Sequence, residues 1–161
     1  MTRHLKLVSE ICKENGLSPM IWSDMFFRLA TGGPYAIPEK GLDKAAFQAV
    51  PKEISLVYWD YYSVSQKHYD DLMRMYKDCQ RKLWFAGGIW TWETMAYSAE
   101  RTSKTTAAAL TACKENNIKD VFAASWVNNA AYCPHIAGLF GVAVWAGHVF
   151  EMAEADVYEH F

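Results

Sequence analysis

Apolar residues gather in four short runs, each closing on tryptophan or tyrosine with polar groups beside it. They are Pro19-Met20-Ile21-Trp22-Ser23-Asp24, the stretch from Ile54 to Tyr62, the stretch from Leu83 to Glu93, and the stretch from Val121 to Asn129. Short apolar runs bounded by turn residues read as strands buried on both faces. Between them the pattern changes to a helical period. Residues 4–15 place Leu5, Val8, Ile11 and Cys12 on one face, and Gly16 stands where a helix ends. Ser65 opens a second helix, with a stripe of Tyr69, Leu72, Met73, Tyr76 and Cys79. Residues 99–116 form an alanine-rich helix, and Ile136 to Phe150 reads as a buried one. From Phe27 to Lys52 the breakers of Thr31 to Pro38 predict a long loop, with a short helix from about Leu42 to Val50.

The residues Trp22, Tyr58, Trp90 and Trp126 follow one another at intervals of 36, 32 and 36 positions, so strand and helix repeat as a unit. That order predicts an α/β fold of βα units, with parallel strands and right-handed crossovers. No linker or shift of composition divides residues 1–161, which read as a single domain.

In parallel βα units the working residues collect at the carboxyl ends of the strands. The residues there are Trp22, Asp24, Tyr58, Asp60, Trp90, Trp92, Glu93, Trp126 and Asn128. Strand alternation puts Tyr58 and Asp60 on one face and Trp59 and Tyr61 on the other, so a phenol and an acid are expected to line a pocket together. Each residue also has a structural reading: Asp24 or Asp60 paired with Arg28 or a lysine, and a strand-end tryptophan packed in the core. Gly87-Gly88 either admits a close approach of backbone or ligand, or marks a bulge.

Composition narrows the chemistry. The net charge of −2 leaves no basic footprint, which argues against nucleic acid and anionic membrane as partners. The seven Trp, nine Tyr and eight Phe suit a flat, partly apolar ligand. Cys12, Cys79, Cys113 and Cys133 are widely spaced, contain no Cys-x-x-Cys and follow no apolar leader. They predict reduced, packed thiols in a cytoplasmic protein, with neither metal nor cofactor.

At these strand ends the chain resembles glycoside hydrolase family 20, the β-N-acetylhexosaminidases. The resemblance rests on Ile21-Trp22-Ser23-Asp24-Met25, Val57-Tyr58-Trp59-Asp60-Tyr61-Tyr62, Trp90-Thr91-Trp92 and Trp126-x-Asn128-Asn129, and covers about residues 1 to 150. It implies a (β/α)8 barrel of which these units are the second half, strands five to eight. It implies a substrate-assisted mechanism, in which the acetamido oxygen attacks its own anomeric carbon while an Asp-Glu pair orients that group and protonates the leaving oxygen. No Asp-Glu dipeptide precedes Trp22.

By the same resemblance Trp22 walls the acetamido methyl, Trp126 lies under the sugar ring and Asn128 bonds its hydroxyls. Tyr58 and Asp60 have the form of a Tyr-x-Asp pair that binds the acetamido group, with Trp90, Trp92 or Glu93 sharing its role. That pair usually stands on the seventh strand and here falls on the sixth. The final loop departs from Trp-Gly-Asp-Asn-Gly-x-Glu. The expected function is a fragment of an exo-β-N-acetylhexosaminidase that carries the sugar site without the acid. Its expected partners are an N-acetylhexosamine-containing glycan and either a second copy, through open barrel edges, or the missing amino-terminal half-barrel. The alternatives are a non-catalytic carbohydrate-binding or self-pairing half-barrel, and another glycosidase using Asp24, Asp60 or Glu93.

Overall fold

A computed structural model describes residues 2–32, 44–78, 80–93, 95–126 and 132–161. Helix α1 (Thr2–Glu14) leads through Gly16, in the left-handed conformation, to strand β1 (Met20–Trp22). Helices α2 (Asp24–Thr31) and α3 (Lys44–Gln48) precede β2 (Ser55–Trp59), and α4 (Gln66–Lys77) joins it to β3 (Leu83–Gly88). Helix α5 (Ala99–Glu115) leads to β4 (Val121–Ala124). A 3-10 turn (His135–Gly138), α6 (Leu139–Val149) and α7 (Glu154–His160) follow.

The four strands pair in parallel in the order β1-β2-β3-β4. Each parallel neighbour is reached over a helical crossover, so every strand end that carries an aromatic group lies at the same end of the sheet.

Strand alternation divides the sheet into two unlike faces. Ile21, Leu56, Tyr58, Leu83, Phe85, Val121 and Ala123 pack with the helices in the main core, where Phe27, Tyr69, Leu72, Met73 and Tyr76 are almost fully buried. The other face carries Met20 and Trp22 (43% and 40% exposed), the partly exposed Trp59, Trp84 and Phe122, and the buried Val57. Gly87 and Gly88 set how closely rings approach the two faces. A methyl group on Gly87 would collide with the Trp145 ring of α6. One on Gly88 would lie 2.6 Å from Trp92 and 3.0 Å from Tyr61. The pair serves close approach, with β3 running unbroken through both.

The expected elements need three corrections. The long loop after the first strand begins with α2, whose Phe26, Phe27 and Ala30 are buried at helical spacing. Ser65 stands at the start of α4 but makes no side-chain cap; its carbonyl receives the His68 and Tyr69 N–H groups. The helix expected to be buried between Ile136 and Phe150 is covered on one side only. Val144 and Trp145 are buried, but Leu139 and Val142 are half exposed because nothing packs outside them among the described residues.

No helix among the described residues is long and apolar enough to cross a membrane. Cys12, Cys113 and Cys133 are free thiols, and burial pushes the Cys113 thiol up to about 12, so it stays protonated at neutral pH. Cys79 lies outside the described residues.

Candidate functional site

The face turned away from the helices ends in a cavity of about 390 Å³ lined by Trp22, Asp24, Trp59, Tyr61, Tyr62, Trp92, Glu93 and Trp126. Every strand contributes. Trp22 closes β1 and Asp24 opens α2 immediately after it, while Trp59 closes β2 and the loop beyond supplies Tyr61 and Tyr62. Trp92 and Glu93 follow β3, and Trp126 follows β4.

The rings brace one another. Tyr61 lies 5.2 Å from Trp59, 5.5 Å from Trp92 and 6.4 Å from Trp126, and Trp126 lies 6.2 Å from Trp22. Trp92 and Tyr61 are buried at the base, at 3% and 5% exposure, whereas Trp22 and Trp126 open to solvent at 40% and 42%. Such a cavity offers ring faces for the C–H surface of a ligand and the carboxylates of Asp24 and Glu93 as acceptors for its hydroxyl or amide donors. Burial pushes the Tyr61 phenol up against the opposing effect of a hydrogen bond from Trp126, so this group is a neutral donor. Glu93 has a left-handed backbone at φ 63°, an unfavourable conformation for a residue with a Cβ.

Of the residues expected to meet, Trp22, Asp24, Trp92, Glu93 and Trp126 share this cavity. Tyr58, Asp60 and Trp90 do not, and Asn128 lies outside the described residues. Tyr58 is fully buried on the helical side, between Tyr76 at 5.5 Å and Phe85 at 5.5 Å. Tyr58 points into the helical core, whereas Asp60 lines a neighbouring cavity of about 400 Å³ with Trp59, Tyr62, Ser63 and His68.

Asp60 accepts from the Tyr62 N–H at 2.8 Å and the Ser63 N–H at 3.2 Å through one oxygen. The other oxygen meets His68 Nε2 at 2.9 Å and accepts from the Tyr58 hydroxyl at 3.3 Å. A carboxylate has about four acceptor sites, and these donors fill them. Asp60 therefore clamps the turn that carries Tyr61 and Tyr62. Burial opposes its charge, but the hydrogen bonds from His68, Tyr62 and Ser63 outweigh that and hold its carboxyl below the ordinary value.

A depressed carboxyl stabilises the fold above its unfolded pKa, and the contribution disappears as the pH falls through the folded value. We expect Asp60→Asn to lower stability by about 1–3 kcal/mol at pH 7. The difference from the native chain should shrink steadily below pH 4, as read from urea midpoints at several pH values. An equal difference at pH 7 and pH 2.5 would contradict the clamp.

Trp90 supports the cavity from behind. Its ring is held between Trp92, 4.3 Å away and stacked, and the Arg101 guanidinium, 3.6 Å from its centroid. Its indole N–H donates to the Tyr61 carbonyl at 2.8 Å, and its backbone N–H donates to the Thr102 hydroxyl at 3.0 Å.

Three cavity residues were not among those expected: Trp59, Tyr61 and Tyr62. Alternation separates Trp59 and Tyr61 from Tyr58 correctly, and the missing signal was which set faces the helices. The parallel register supplies it, because Trp22 lies beside Val57 and period two carries that face to Trp59. Compared with family models and with curated protein sequences, the chain matches none.

Proposed function

We propose that the chain is the sugar-holding half of an exo-β-N-acetylhexosaminidase, its four βα units serving as strands five to eight of a (β/α)8 barrel. An N-acetylhexosamine at the non-reducing end of a glycan occupies the aromatic cavity. The observation that supports this reading is the convergence of Trp22, Trp59, Tyr61, Trp92 and Trp126 with Asp24 and Glu93 at the carboxyl ends of parallel strands. The exposed rings Trp22 and Trp126 stack on the sugar, and Asp24, Glu93 and the Tyr61 hydroxyl take its polar groups. Asp60, its acceptor sites filled, acts as a positioning residue for the turn and not as a sugar ligand.

The Asp-Glu pair that performs the chemistry in this family is supplied from elsewhere. We therefore expect this chain alone not to hydrolyse an aryl N-acetyl-β-glucosaminide. A second reading is favoured by one observation, that Asp24 and Glu93 line the same cavity. In that reading they are themselves the acid and the nucleophile or base of a glycosidase. Turnover that copurifies with the chain and vanishes in both Asp24→Asn and Glu93→Gln would establish the second reading and overturn the first.

A further inference from the structure

The turn after β2 carries a second cavity beside the aromatic one. Its volume is about 400 Å³, close to the 390 Å³ of the first, and it is lined by Trp59, Asp60, Tyr62, Ser63 and His68. Each volume lies within the range of roughly 300–1,000 Å³ that small-molecule sites occupy. Trp59 and Tyr62 line both cavities, so the two adjoin across these rings.

The polar groups of the second cavity are fixed by the bonds they already make. Asp60 has no acceptor site to spare, because Tyr58, Tyr62, Ser63 and His68 fill its oxygens. A carboxylate only accepts, so His68 Nε2 donates to it at 2.9 Å, and the neutral imidazole then presents Nδ1 as an acceptor. The His68 side chain is 35% exposed against 11% for Asp60, so a ligand meets the imidazole and not the acid. Ser63 Oγ accepts from the Ser65 N–H at 3.1 Å, which leaves its hydroxyl hydrogen to donate outward. One acceptor, one donor and two aromatic rings, beside a carboxylate already satisfied, suit a neutral ligand whose hydroxyl groups both donate and accept.

We propose that the second cavity holds the sugar next to the terminal N-acetylhexosamine, so that the site takes a β-linked disaccharide unit and His68 and Ser63 select its second residue; this rests on the first cavity being the seat of the terminal sugar. Trp59 and Tyr62 are the common wall, and the glycosidic link crosses at Tyr62, which is 51% exposed. The Tyr62 ring is braced by Trp90 edge-on at 5.4 Å and by the Arg101 guanidinium at 5.8 Å. One Asp60 oxygen holds the N–H groups of both Tyr62 and Ser63, so a single carboxylate fixes the shared wall and the second cavity's donor relative to each other. Groups held in this way need little reordering when a ligand arrives.

Calorimetric titration of the native chain with N-acetylglucosamine and with N,N′-diacetylchitobiose tests it. The disaccharide should bind on the order of tenfold more tightly than the monosaccharide. His68→Gln keeps an N–H for Asp60 but removes the Nδ1 acceptor, and Ser63→Ala removes the hydroxyl but leaves the backbone bonds to Asp60 and Tyr69. Each should lower the ratio of the two affinities by about threefold or more. A slackened turn would weaken both ligands alike, so the ratio reads the second cavity where neither affinity alone would. Lys67→Ala, at an exposed position of α4 paired with Asp71, should leave the ratio unchanged. In the native chain the ring nitrogen signals of His68 should shift on addition of the disaccharide and stay in place with the monosaccharide, which carries the test if neither variant folds.

Monosaccharide binding with no gain from the second sugar would overturn this assignment and leave the function above standing. A gain that survives both substitutions would place the second sugar elsewhere and also overturn it, as would His68 signals that do not move. Absence of binding by either ligand would overturn both readings together.

Discussion

Replacing Trp92 by alanine is expected to cost about 3–5 kcal/mol of stability and to remove sugar binding together with it. Trp92 is the buried centre of the aromatic cluster. It stacks on Trp90 at 4.3 Å and meets Tyr61 edge-on at 5.5 Å. Its ring also fills the space over Gly88, where a methyl group would lie 2.6 Å away. Alanine would leave a hole bounded by the Trp90 and Tyr61 rings and the Gly88 backbone; the glycine has no side chain to fill it, and Trp90 is held in place by its hydrogen bond to Tyr61 O and by the Arg101 guanidinium. Urea unfolding followed by far-ultraviolet circular dichroism reads the stability, and calorimetric titration with N-acetylglucosamine reads the site. A variant that keeps the native midpoint would show that Trp92 is not structural. Unchanged sugar binding would remove it from the cavity wall.

The second large effect lies on the opposite face of the same strand. Gly87→Val places a branched side chain where the Trp145 ring already lies. Trp145 is 7% exposed and stacked on Phe85 at 6.3 Å, so it has little room to yield. Overpacking of this kind costs about 1–3 kcal/mol, and the rigidity of a β-strand beneath a helix puts this case at the upper end. The expected result is a lower unfolding midpoint with α6 displaced. Sugar binding in the fraction that remains folded should be unchanged, because Trp145 packs on the helical side of β3, away from the cavity. Gly88→Ala supplies the contrast, since its methyl group would push on Trp92 and Tyr61 and should weaken sugar binding at a smaller cost in stability. Equal effects of the two substitutions on binding would contradict the division of β3 into a helix-facing and a cavity-facing side.

Much of this arrangement is legible in the sequence, and the failures have physical causes. The four strands follow from apolar runs closing on aromatic rings, and their parallel order follows from the helical stretches between them. Helix α2 is hidden because Ser23-Asp24 reads as the end of a strand. Yet Phe26, Phe27 and Ala30 already lie at helical spacing, and the Ser23 hydroxyl is engaged across the sheet, donating to Val57 O at 2.8 Å and lying 2.7 Å from Tyr76 Oη.

Tyr58 and Asp60 show a different difficulty. Period two tells which residues share a face but not which face meets the helices, and a phenol beside an acid resembles a ligand-binding pair wherever it points. What distinguishes them is visible only in three dimensions: Tyr69 and Tyr76 pack around the Tyr58 ring, and four donors occupy Asp60. The half-exposed side of α6 is unreadable for a related reason. An apolar helix gives no sign of whether its second face meets this chain or another one.

The aromatic cavity as the seat of an N-acetylhexosamine is tested most directly by calorimetric titration of the native chain with N-acetylglucosamine, alongside Trp126→Ala and Trp84→Ala. Trp126 stands at the exposed mouth of the cavity, and Trp84 lies on the same face of the sheet but outside the cavity. The expected result is saturable binding by the native chain, weakened by about 1–3 kcal/mol in Trp126→Ala and unchanged in Trp84→Ala. No binding by the native chain, or equal affinity in the two folded variants, would contradict the assignment of this cavity to the sugar.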